Sequence, residues 1–308
     1  MIRVMLTGFC AALFFSTTFI LNRAMSLEGG HWFWSASLRY LYMFIFLVLG
    51  LSVACRGQLQ ALFREYMHHW KFWTLSGSVG FGGFYALLCL AAEHTPGWVV
   101  ATTWQLTILA SLVVLRGFGK TFSAKVWGYS LAVFFGVALV NLSQAENMQW
   151  QTILMGTLPV LGAAFCYPLG NQLVWEAQNR NPRLPKVDQE VLRSGFRKVL
   201  LLTTGSMPFW LLLYCLIRPP LPSTEQAAGV ALVALFSGII ATTLFLNARH
   251  MAHNAGQLAA ADATQASEVL FALVGEILFL GAPTPGVTGL LGILITIAGL
   301  VAYVRHDQ

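Results

Sequence analysis

Three acids share one apolar run. The stretch DATQASEVLFALVGEILF, residues 262–279, carries Asp262, Glu268 and Glu276. It reads as one continuous helix with Glu268 near its centre. In hydrocarbon, insertion scales place a charged acid at that depth about 2.5–3.5 kcal/mol uphill. Such a group can take up and release a proton at physiological pH, or hold a cation in its place. Glu268 is therefore the candidate for proton coupling. The alternative is a structural acid that stays protonated or bonds to a neighbouring helix. Asp262 and Glu276 stand nearer the ends, where side chains reach headgroups or water. Arg39 is the deep base, roughly 12 Å along its helix from His31. It can pair with Glu268 or bind a substrate carboxylate. Tyr85, Trp104, Gln105, Tyr167, Asn171 and Gln265 complete the candidate substrate-binding set, with Ser16, Thr17, Asn22 and Thr264 as further polar residues at helical positions. Trp104 beside Gln105 is the most suggestive pair, because a ring face attracts planar cations. The competing role for each is a hydrogen bond between helices.

Other chemistry finds little support. There is no Walker motif, no GxSxG and no HExxH, which argues against an ATP-driven pump or a hydrolase. His250 and His253 have the spacing of a metal pair but lack a third ligand nearby. No metal and no cofactor are expected. The five cysteines form no CxxC pair and read as small buried hydrophobes.

The elements that must hold these residues are apolar helices. The chain of 308 residues is 57% hydrophobic and 10% charged, against about 25% charged in soluble domains. Its mean hydropathy is +0.68. A bilayer core needs roughly 20 apolar residues in helix, and ten segments qualify: Val4–Met25, His31–Val53, Phe72–Ala92, Trp98–Leu115, Val126–Leu142, Thr152–Trp175, Val199–Ile217, Ala228–Phe245, Leu258–Leu280 and Val287–Val304. The first reads as an uncleaved span, since no small-x-small cleavage site follows it. The runs are too long and too uniformly apolar for barrel strands. Residues 57–71 place Leu59, Leu62, Phe63, Tyr66, Met67 and Trp70 at helical spacing, as in a helix lying on a membrane surface. Pro159 and Pro168 should kink or break span six. Gly77, Gly80, Gly82 and Gly83 should let span three pack closely.

With the N-terminus placed in the cytoplasm, 15 of the Lys and Arg residues fall in inside segments and two, Arg23 and Arg218, fall outside. The positive-inside rule then puts both termini in the cytoplasm of a bacterial inner membrane. The same split explains the net charge of +6 without nucleic acid as a partner.

The ten spans divide five and five, as residues 1–148 and 149–308. Asn22 aligns with Asn171, and Gly97 with Gly256. Five is odd, so the second half enters the membrane from the opposite side. That is the inverted repeat of many secondary transporters. The expected fold is thus an all-α polytopic membrane protein with ten transmembrane helices in two inverted five-helix repeats.

Leu38-Arg39-Tyr40, GFYALLCLAAEHTP (83–96), GLLGILITIAGLVAY (289–303) and the early STTFILNRAM together resemble the drug/metabolite transporter superfamily in its ten-helix, EamA-like branch. The last of these looks like the multidrug resistance efflux type. The resemblance implies an exporter of small organic solutes driven by an ion gradient or by exchange, and no enzyme. One departure stands out: small four-helix members carry an essential Glu in their first helix, and span one here has no acid. The expected function is alternating-access export, proton-coupled through Glu268, with aromatic or cationic drugs ahead of amino acids and other metabolites. The rivals are an exporter or exchanger of amino acids or metabolites without proton coupling, and an intramembrane lipid-handling protein. The expected partners are a small-molecule substrate, a proton gradient and the lipid bilayer; a homodimer is compatible with them.

Overall fold

The computed structural model describes residues 2–54, 56–144, 149–192, 194–251, 257 and 261–306. Among them there is no strand, and ten helices are long and apolar enough to cross a membrane. They are Ile2–Leu27, Trp32–Val53, Trp70–His94, Gly97–Gly117, Ala124–Ser143, Trp150–Gln178, Gly195–Ile217, Thr224–Arg249, Ala261–Leu280 and Val287–Val304, called spans one to ten below. Apart from the start of span nine, the ends expected from hydropathy fall within four residues of these. The expected start of span nine, at Leu258, lies outside the described residues, as do His253, Gly256 and Cys55. Because ten spans alternate in direction, both chain ends lie on one face, the near face; the opposite one is the far face.

The packing has a regular plan. Span one runs along spans eight and nine, and span six runs along spans three and four. Span seven packs on span three, and span two on span eight. Spans two and seven touch, as do four and nine, and spans five and ten form an extensive pair. Each of these contacts maps onto another, or onto itself, when five is added to the span numbers; the contacts of span two with span three, and of span one with spans three and four, have no counterpart of similar extent.

Small residues make these approaches possible. A Cβ placed on Gly136 or on Gly292 would lie 2.7 Å from the carbonyl oxygen of the other, so spans five and ten meet backbone to backbone. A Cβ on Gly80 would lie 2.9 Å from Cα of Gly170, where span three crosses span six. Gly77 meets Leu202 and Gly205 in the same manner, and Gly82 meets the Phe209 ring. The close packing expected of span three is therefore present.

Span three also contains a π-helical stretch at Ser78–Gly83. Span eight has the equivalent at Ala234–Ala241. In span four the α-helix stops at Trp104 and resumes at Thr107. The cause is local: Gln105 Nε2 donates to the Ala101 carbonyl at 3.2 Å. That oxygen would otherwise accept the backbone N–H of Gln105. The N–H turns to Thr102 O instead, at 3.1 Å, which tightens the turn.

Span nine departs from the single continuous helix read from its sequence. Thr264–Ser267 form a 3₁₀ turn that interrupts the α-helix, which resumes at Glu268. The hydroxyls of Thr264 and Ser267 bond to carbonyls three residues back, Ala261 O and Thr264 O, and compete with the α-helical ladder. Span six, expected to kink or break, is not broken: Trp150–Gln178 is one helix through both prolines. Pro168 has no N–H for the Ala164 carbonyl. Thr107 Oγ1 of span four supplies the missing donor at 3.1 Å.

The surface helix forms as expected, at Arg56–His68. Leu62 and Glu65 turn inward, while Phe63 and Met67 are exposed. Glu65 fastens it to the bundle by accepting from Trp73 Nε1 at 3.1 Å and from the Asp188 backbone at 3.2 Å. The cysteine expectation fails in part. Cys89 is buried, but Cys10 and Cys215 are exposed, on helix surfaces that present leucines outward.

Candidate functional site

On the far face, three helix ends are closed by charged side chains. Arg23 of span one donates from Nη1 to the carbonyls of Ala92 (2.9 Å) and Glu93 (3.2 Å), at the C-terminus of span three. Glu93 accepts from the Trp32 backbone at 2.9 Å, at the start of span two. Glu276 of span nine accepts from the backbone N–H groups of Gly97 (2.7 Å) and Trp98 (3.1 Å), at the start of span four. Each charge has the sign that the helix dipole favours. This corrects the reading of Glu276 as a group that reaches water: it is 1% exposed, and a helix N-terminus satisfies it. Asp262 pairs with Arg249 across spans nine and eight at 2.9 Å.

Deeper in the bundle, the side chains from spans one, two, three and eight converge on Arg39. Its guanidinium lies 4.2 Å from the centroid of the Tyr85 ring. Nη2 donates to Ser237 Oγ at 3.2 Å, and Nη1 to Thr18 Oγ1 at 3.5 Å. Nε is buried without a hydrogen-bond partner. Asn22 Nδ2 donates to the Tyr85 hydroxyl at 3.0 Å, and its Oδ1 is buried and unpartnered. Ser237 sits in the π-helical stretch of span eight, so the irregular turn delivers a contact to Arg39.

Beside Tyr85 the rings continue. Phe84 lies 4.9 Å from Trp104 and 5.0 Å from Tyr167, and Trp104 lies 5.7 Å from Tyr167, centroid to centroid. Tyr40 adds contacts to Tyr85 and to Trp210, both at 5.8 Å. The structure thus brings Arg39, Tyr85, Trp104 and Tyr167 into one cluster drawn from spans two, three, four and six.

Exposure shows which way these residues face. Tyr167 shares a helix face with Val160, Ala163, Gly170 and Val174, all buried, yet it is 38% exposed. Gln265 and Trp104 are likewise half-buried among buried neighbours. Arg39 is half-buried on the face of Ala36, Met43 and Leu47, which are buried. These residues keep surface on helix faces whose other members are buried. Tyr85 and Gln105 are buried. Asn171 is half-buried, and its Nδ2 bonds within its own helix to Tyr167 O.

Glu268 is 8% exposed and stands at the junction of the 3₁₀ turn and the α-helix of span nine. Among the described residues nothing donates a hydrogen bond to it, and it forms no ion pair with Arg39. Phe84, Thr18 and Ser237 were missed in the sequence. Phe84 precedes the selected Tyr85, but a phenylalanine in an apolar run carries no signal. Thr18 and Ser237 look like ordinary small helix residues.

A family model described as "Putative multidrug resistance efflux transporter" (EmrE) matches residues 2–308. A curated relative, "Uncharacterized protein YjlA" of Bacillus subtilis (strain 168), is 38% identical over 322 residues, covering 99% of this chain and 95% of that protein. A second, from Shouchella clausii, is the "Uncharacterized 42.1 kDa protein in intracellular alkaline protease 3'region". It is 36% identical over 261 residues, covering 80% of this chain and 64% of that protein. A solved crystal structure matches with a TM-score of 0.59 at 16% identity, over 99% of this chain and 96% of its own, and shares the fold.

Proposed function

Since the chain belongs to the EmrE family of multidrug resistance efflux transporters, we propose that it exports small organic solutes by alternating access, with Glu268 as the proton-coupling acid. The family supports an integral membrane transporter of small molecules. The observation that carries the finer reading is Glu268 itself. It is buried in span nine, and among the described residues no cation pairs with it and nothing donates a hydrogen bond to it. An acid without a fixed partner can exchange a proton for substrate, which a clamped acid cannot.

The two halves, 1–148 and 149–308, are read as inverted repeats. The mapping of contacts by five spans supports this, as do the matched irregular turns in spans three and eight and in spans four and nine. Rocking one half against the other would open the space around Arg39 and Glu268 to each face in turn. The distribution of Lys and Arg supports cytoplasmic termini in a bacterial inner membrane, so the clamped far face is the external one. In this structure Glu276 joins the two halves on that face, while the contacts of Arg23 and Glu93 lie within the first half.

The test is export from proteoliposomes under an imposed pH gradient, screened against a library of drugs and metabolites. Gradient-driven flux in the wild type, absent in Glu268→Gln, is the expected result. Full gradient-driven flux in Glu268→Gln would overturn the coupling role.

A further inference from the structure

We propose that Arg39 is the anion-recognising residue of the transport site, so that the exported solute joins a carboxylate or sulfonate to a planar ring. This rests on the transport reading and adds the sign of the substrate charge.

Four observations carry it. First, Arg39 lies on the inward face of span two and keeps accessible surface there. Second, no acid pairs with it among the described residues. Its contacts are two hydroxyls, Thr18 and Ser237, and the Tyr85 ring, all neutral groups. A cation in a membrane interior without a counter-charge is costly, and such residues mark ligand or ion pathways. Third, Nε is buried and donates to nothing, although a guanidinium has five N–H donors in a fork that fits a carboxylate or sulfonate two-fold. Fourth, the wall adjoining Tyr85 is aromatic. Phe84, Trp104 and Tyr167 are mutually packed, and Tyr167 keeps 38% of its surface exposed. A planar body can lie against those rings while its anionic group reaches Arg39.

A purely cationic solute fits this arrangement poorly. When Glu268 carries a proton, the charge left in the cluster is that of Arg39, and like charges in a low-dielectric space repel strongly. The same site accepts a zwitterion if Glu268 is ionised and faces the substrate ammonium. An organic anion needs only Arg39 and the rings.

The experiment uses three probes on one naphthalene ring: 2-naphthalenesulfonate, 2-naphthylmethanol and 2-naphthylmethylammonium. Binding to the purified full chain is measured by calorimetry and by thermal shift. The sulfonate is expected to bind tightest of the three. Arg39→Gln should weaken it about 10- to 100-fold, the range expected for losing charge-assisted hydrogen bonds. Arg39→Lys should fall between, because it keeps the charge and loses the fork. Tighter binding of the cation or the alcohol, no binding of the sulfonate, or unchanged affinity in Arg39→Gln would overturn the assignment. If Arg39→Gln does not fold, the ranking of the three probes on the wild type decides. A flux measurement in proteoliposomes separates this proposal from the one it rests on. Sulfonate binding without gradient-driven sulfonate flux would count against transport and leave the anion site standing. Gradient-driven flux of the cation without sulfonate binding would do the reverse.

Discussion

Glu268 and Glu276 stand two turns apart on one face of one helix, and both are buried. Glu276 meets the N-terminus of span four, where two backbone N–H groups have no partner inside their own helix. Its carboxylate completes that helix and ties spans four and nine together. Glu268 meets nothing that donates among the described residues. Membrane burial alone therefore does not distinguish a structural acid from a working one. The distinction is whether the surrounding fold has already satisfied the charge.

The strongest way to break this contrast is Glu268→Gln. The amide keeps the shape and cannot titrate. Gradient-driven export should fall to the leak rate, while the unfolding free energy stays within about 1 kcal/mol of wild type, because no bond is lost. A large loss of stability would show that Glu268 is a structural partner after all. Glu276→Ala should behave in the opposite way. It strands two backbone donors, so stability should drop by about 2–3 kcal/mol, read by unfolding in mixed micelles. The export rate per folded molecule should fall less than in Glu268→Gln. Glu276→Gln retains one acceptor and should lose about half as much.

Trp104 sharpens the contrast from the substrate side. Trp104→Ala should weaken probe binding by about 1–2 kcal/mol with near-normal expression, and Trp104→Phe by less. Normal binding in Trp104→Ala would reduce the ring to a packing element against Phe84. The smallest effect belongs to Thr107→Val, which removes the donor to the carbonyl freed by Pro168. A cost of about 0.5–1 kcal/mol in stability is expected, with no change in proton-driven export. A larger effect on export than on stability would mean that span six must flex at Pro168 during transport.

The ten spans were legible because hydrocarbon allows few backbone solutions: a long apolar run must close its hydrogen bonds internally, and a helix does so. Their ends followed from the same rule. The cluster around Arg39 was legible in part. Arg39, Tyr85, Trp104 and Tyr167 stood out as polar or aromatic residues deep in spans, but which of them meet depends on packing between spans. Glu276 was misread because depth along a helix says nothing about what lies opposite, and its partner is a backbone end 178 to 179 residues away in sequence. The 3₁₀ turn in span nine was missed for a different reason. The residues of ATQAS are individually tolerable in a helix, and only their side-chain hydrogen bonds to nearby carbonyls tip the turn.

The π-helical stretches of spans three and eight carry one more consequence. Each holds a surplus residue inside an otherwise ordinary helix, like a wrinkle in a carpet. A wrinkle can travel. If it moves by one position, a single residue passes from one side of the defect to the other and its side chain swings by about 100°, while the ends of the helix stay where they are. Ser237 lies within the wrinkle of span eight, in contact with Arg39. Passage of the wrinkle past Ser237 would withdraw its hydroxyl from the guanidinium without moving the helix as a body. The grip on a bound anion could then be loosened by a local ripple that leaves the glycine-to-glycine seams of the bundle intact.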